Sequence, residues 1–213
     1  MSKGIFHIKL VYAKGGLMRF ISHRDLIRVI KQAVIRSDIP VAHSSGFNPR
    51  PKISFYNPLP VGVESECEVL SLATTEFRDA SDVKNSLNAQ FPEGIYCITG
   101  KNIRSKKEIC VVSSQYRMPV SSEEGNRIEP GIPRIAEPAV TIRRERNNKV
   151  VTVADKVGGC TVENGFFSFT LKNTPIGSIS PKEFLSFFFN GDESVRKLYA
   201  LKRCGINGRT GCE

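Results

Sequence analysis

Residues 19–65 read RFISHRDLIRVIKQAVIRSDIPVAHSSGFNPRPKISFYNPLPVGVES. The stretch joins a capped helix bearing a basic stripe to a proline-stiffened loop and then to a strand. Ser22-His23-Arg24-Asp25 has the form of a capping box. The Ser22 hydroxyl can accept the Asp25 amide, and the carboxylate suits the positive end of a helix. Leu26, Ile30, Ala33 and Val34 recur at helical spacing and predict the buried stripe. Arg24, Arg28 and Lys31 follow at i, i+4 and i+7 and share the opposite, wet face. Ser37-Asp38 and Pro40 close the helix.

The loop Gly46-Phe47-Asn48-Pro49-Arg50-Pro51 comes next. Its prolines fix their own backbone and bias Asn48 and Arg50 toward extended geometry. A stiff loop loses less entropy when its side chains grip a ligand. Arg24, Arg28, Lys31, Asn48, Arg50 and Lys52 are therefore expected to converge into one anion-binding surface. Arg supplies bidentate contacts to phosphate and Lys a point charge. Phe47, Phe55 and Tyr56 read first as core packing and second as platforms for stacking bases.

Outward from this stretch, Ile5–Tyr12 alternates as a strand, and Gly15-Gly16 breaks it. Ile53–Tyr56 and Glu64–Thr74 read as strands, Asp79–Phe91 as a short helix and Ile95–Ile103 as a strand. The order β-α-β-β-α-β is the split βαβ plan. In the second half, Glu108–Met118 is a strand. Pro119–Pro138, with four prolines, reads as an irregular crossover without a stable helix. Asn147-Asn148 and the stronger Asn164-Gly165 mark two hairpins. Ser180-Pro181-Lys182-Glu183 opens a helix over Pro181–Phe189, and Ser194–Cys204 reads as the last strand. Phe184, Phe187, Phe188 and Phe189 make that helix aromatic on several sides, suited to a core or to docking a partner.

The expected fold is α+β, with two ferredoxin-like units of which the second has a degenerate first helix. The expected boundaries are 1–104, 105–205 and a flexible tail at 206–213.

The chain has 213 residues and a formal charge of +10. Ten of its bases and only three of its acids lie at or before Ser65, so that segment carries +7. Such asymmetry favours a polyanionic partner, RNA above all. No apolar run is long enough to span a bilayer and no secretion signal is present, so the expected location is cytoplasmic, without membrane contact. The six cysteines, Cys67, Cys97, Cys110, Cys160, Cys204 and Cys212, form no C-x-x-C pair. They read as scattered reduced thiols, with no metal and no iron–sulfur cluster expected.

No phosphate loop and no G-x-S-x-G is present. The chemically interesting histidines are His23, in the first turn of the basic helix, and His43, before the Ser44-Ser45-Gly46 bend. Side by side they could act as acid and base in RNA cleavage, though a packing role is the simpler reading for each. His7 reads as half-exposed scaffolding. No bound cofactor is expected.

The ordered strings Arg19-Phe20-Ile21-Ser22-His23-Arg24-Asp25-Leu26, Ser44-Ser45-Gly46-Phe47-Asn48-Pro49-Arg50-Pro51, Ser54-Phe55 and Pro58-Leu59-Pro60-Val61-Gly62-Val63-Glu64-Ser65 resemble the radical SAM-linked protein family. This is a bacterial domain of unknown function whose members occur alone or fused behind cobalamin-binding radical SAM proteins. Arg24 stands where the family has an aliphatic residue, His43 where it has Tyr and Arg50 where His is common. The resemblance implies a radical SAM protein as partner and supplies no reaction. Together these readings give an RNA-binding, non-catalytic accessory to a radical SAM enzyme. The alternatives are an endoribonuclease or RNA-modification subunit using His23 and His43, and a protein-interaction module without nucleic acid.

Overall fold

A computed structural model of the chain describes residues 4–143, 150–174 and 177–208. The fold is α+β, and the chain divides into two units. The first ends at Cys110 and takes in Gly208, and the second is Val111–Asn207.

In the first unit β1 (Phe6–Lys14) leads through a 3-10 turn (Gly16–Phe20) to α1 (His23–Arg36). There follow β2 (Ile53–Tyr56), β3 (Glu64–Thr74), α2 (Ala80–Asn88) and β4 (Ile95–Ile103). The sheet order is β4-β1-β3-β2. All the pairings are antiparallel. Leu26, Ile30, Ala33 and Val34 are the buried residues of α1, as the periodicity predicts. They pack with Ile8, Leu10 and Tyr12 of β1 and with Leu70 and Leu72 of β3. Ile53, Phe55 and Phe91 close the edges of this core. The helices therefore cover one face of the sheet, and the alternate residues point off the other.

The second unit comprises β5 (Val111–Pro119), α3 (Ser122–Ile128), the short strands β6 (Thr141–Arg143) and β7 (Val150–Thr152), β8 (Val157–Glu163), β9 (Phe166–Lys172), α4 (Pro181–Leu185), α5 (Gly191–Tyr199) and β10 (Lys202–Gly208). Its strand order is β10-β5-β9-β8. Taken by position in the chain, the strands of each unit run last-first-third-second. The second unit thus repeats the strand permutation of the first, with the β6–β7 pair inserted after its first helix. At the β8–β9 hairpin Asn164 and Gly165 both have positive φ, 52° and 74°. That is the pair of left-handed residues a type I′ turn requires.

Three expectations for this half are corrected. The crossover after β5 does hold a helix, α3, started by a capping box in which Glu124 N donates to Ser121 Oγ and Ser121 N to Glu124 Oε2. Residues 194–199 lie in the helix α5 and are not strand. Asp192 and Glu193 in its first turn and Arg196 and Lys197 in its last suit the helix dipole, a signal that outweighs local strand propensity. Finally, Ile206, Asn207 and Gly208 belong to β10, while 209–213 and the Asn147-Asn148 turn lie outside the described residues.

The phenylalanines of the aromatic-rich segment form core. Phe184 is fully buried and meets Phe169 at 4.6 Å between centroids, and Phe188 packs edge-on against Phe167 at 5.2 Å.

Candidate nucleic-acid interface

The connection from β1 to α1 is held by its own motif residues. Gly16 N and Arg19 Nη1 both donate to Glu64 Oε1, at 3.2 and 3.1 Å, and Gly62 N donates to the Arg19 carbonyl at 2.8 Å. The Ser22 hydroxyl accepts Asp25 N at 3.2 Å and donates to Asp25 Oδ2 at 2.6 Å. Aspartate is one methylene shorter than glutamate, so the box closes on the hydroxyl. Beneath this turn the buried Lys14 sends its ammonium to the Ile21 carbonyl at 3.2 Å. The strings R-F-I-S-H-x-D-L and P-L-P-x-G-x-x-S therefore meet in space, and what they hold together is the start of α1.

His23 lies edge-on to Phe55 with centroids 5.6 Å apart. Burial, and secondarily the Lys14 charge, lower its pKa from the ordinary imidazole value. Burial likewise lowers that of Lys14, with Glu68 opposing. His43 is exposed, and its Nδ1 bonds the Val41 carbonyl at 2.9 Å. The two imidazoles take separate partners, and no hydrogen bond or ring contact joins them.

The six predicted polar contacts come from the helix α1 and from the segment before β2. Arg24 and Arg28 are exposed on α1 and Lys31 is half-buried there. Arg28 Nη1 sits 3.2 Å from Asp25 Oδ1, a solvent-exposed pair worth little. Asn48 and Arg50 belong to a loop closed at its base, where Ser44 N donates to the Arg50 carbonyl at 2.9 Å and Arg50 N to Ser44 Oγ at 3.0 Å. Every residue from Ser45 to Arg50 is exposed, and the Phe47 side chain stands wholly in solvent at 106% relative exposure. Core packing is thus the wrong reading for Phe47, and right for Phe55. Lys52 is exposed just before β2, in a tight turn where Ile53 N donates to the Pro51 carbonyl at 2.9 Å, while Ile53 and Phe55 pack against the core.

Sequence reading passed over Lys101, Arg104, Lys106 and Lys107, all exposed, because they fall outside the 19–65 stretch. Four bases within seven residues was the available signal.

Among the described residues no group of three or more His, Cys, Asp or Glu could hold a metal. Cys67, Cys97, Cys160 and Cys204 are free thiols, and burial pushes those of Cys97 and Cys160 up to about 12, far from the reactive thiolate. Cys110 is disulfide-bonded, which departs from the expectation of reduced thiols throughout. Among the described residues no helix is long and apolar enough to cross a membrane.

The family described as "Uncharacterized protein conserved in bacteria (DUF2344)" matches residues 7–192. The chain belongs to this family. The match includes the β1–α1 turn and the exposed loop and ends at the start of α5, before β10. No curated protein matches the chain.

Proposed function

We propose that this family member binds single-stranded RNA and acts as a non-catalytic accessory, with a radical SAM enzyme as its protein partner. The observation that carries the RNA reading is Phe47. A phenylalanine held wholly in water on a tightly closed, proline-braced loop keeps its ring faces open to a ligand, and Asn48, Arg50 and Lys52 lie beside it in the sequence. A flat aromatic beside cations is what an unstacked base with its phosphate engages. The +7 charge of the segment through Ser65 supplies the long-range attraction. The radical SAM partner rests on the motif resemblance alone.

The separate placement of His23 and His43 gives the nuclease reading no support. Competition between single-stranded and duplex RNA of equal length tests the proposal, because Phe47 can stack only on a base that is already free. Preference for the single strand is expected, and equal affinity for both would contradict a stacking role. Retention of a radical SAM protein after nuclease treatment of a pull-down checks the partner separately.

A further inference from the structure

On the helix-free face of the first unit, Lys9 of β1 stands directly opposite Lys101 of β4. Facing residues of antiparallel strands have Cα atoms about 5 Å apart, and like charges so placed weaken the sheet. An irregularity in β4 creates the pairing. Tyr12 pairs with Cys97 but Val11 pairs with Thr99, so Ile98 is an extra residue. One extra residue flips every later side chain to the other face. Without it Lys101 would point at α2. With it, Gly100 takes the helix side, where an added Cβ would lie 2.7 Å from the Ala80 carbonyl oxygen, and Lys101 joins Lys9. Among the described residues neither ammonium has a carboxylate or hydrogen-bond partner.

More positive charge reaches the same face. Ser71 lies opposite Lys9 on the other flank. The Tyr56 hydroxyl meets Ser71 Oγ at 3.1 Å and donates to the Lys106 carbonyl at 3.2 Å. The segment after β4 therefore returns across this side of the sheet, bringing the exposed Arg104, Lys106 and Lys107. Its one acid, Glu108, is turned to the backbone, where Oε1 accepts Arg104 N at 2.8 Å and Ser105 N at 3.0 Å.

We propose that this strip is a phosphate-binding track for the single-stranded RNA, in which Lys9 and Lys101 share one phosphate and Arg104, Lys106 and Lys107 hold its neighbours. Two four-carbon stems rooted about 5 Å apart reach a common cluster of oxygens without backbone movement, and the anion removes their repulsion. The inference rests on the RNA reading above and adds a site that lies outside the Phe47 loop.

The test is fluorescence anisotropy of a labelled oligouridylate with the full chain, from about 50 to about 300 mM salt. Each phosphate that the protein ceases to neutralise flattens the log–log salt slope by about 0.7. K9A/K101A is expected to weaken binding by about tenfold at the lowest salt and to flatten the slope by about 0.7. K9Q/K101Q, which keeps much of the stem, should behave alike. Both should melt no lower than the wild-type chain, since they relieve a repulsion. Wild-type affinity and slope in both variants, with binding abolished in F47A/R50A, overturns the track and leaves the RNA reading standing. No binding by the wild-type chain overturns both.

Discussion

The Lys14 ammonium donates to the Ile21 carbonyl at 3.2 Å, and this bond ties the end of β1 to the residue just before the Ser22 cap. Lys14 is 1% exposed. A charged amine in that position is held at the expense of solvation, which is why its pKa falls. The unfolded chain then binds the proton more tightly than the folded one. Between the lowered folded pKa and the ordinary lysine value, stability rises with pH. The unfolding free energy of the wild-type chain relative to Lys14→Met should therefore increase as pH is raised toward the ordinary lysine value of about 10.5, as read by denaturant midpoints. A difference that stays flat, or shrinks, means Lys14 is not strained by burial.

His23 gives a second pH dependence in a different window. Its folded pKa is lowered, chiefly by burial, so its contribution is fully present above the ordinary imidazole pKa of about 6.5 and is lost as pH falls below it. The melting temperature of the wild-type chain should drop between about pH 7 and pH 5 more than that of His23→Gln. Parallel profiles for the two proteins would refute this.

Glu64 serves two donors at once, Gly16 N and the Arg19 guanidinium. Glu64→Ala leaves both without their partner at the β1–α1 turn and should cost about 1 to 2 kcal/mol, after allowance for partial exposure. For a chain of this length that is a fall of about 2 to 8 °C in melting temperature. An unchanged melting temperature would show that the motif's Arg19–Glu64 pair holds nothing in place.

The helix face and the loop can be separated by substitution. Arg28 is exposed on α1 and is already beside Asp25, whereas Arg50 belongs to the closed loop. Arg28→Ala should change RNA affinity by less than about twofold, as a lone exposed charge near a weak pair. A loss as large as that from Arg50→Ala would return the helix stripe to the binding surface.

Much of the first unit was legible because its signals are local. The Ser22 cap and the Leu26, Ile30, Ala33, Val34 spacing specify α1 without reference to the rest of the chain, and β2, β3 and β4 fall where the pattern puts them. The second unit hid α3 behind prolines, although Ser121 and Glu124 carry a complete capping box. It hid α5 behind Val195, Leu198 and Tyr199, which suit either a strand or a helix.

The site was less readable for a geometric reason. Side-chain direction in a strand depends on register. Lys101 was beyond reach, because its direction depends on the extra residue Ile98. The exposure of Phe47 is likewise a tertiary fact: the loop that carries it meets no core.

The most direct test of the account is the affinity of single-stranded RNA for Phe47→Ala and Phe47→Trp, each beside the wild-type chain at one fixed salt concentration. Base stacking on an aromatic is worth about 1 to 3 kcal/mol, so the alanine variant should bind about five- to 150-fold more weakly while tryptophan retains or improves affinity. Equal binding by all three proteins would contradict the claim that the exposed loop is where this protein meets RNA.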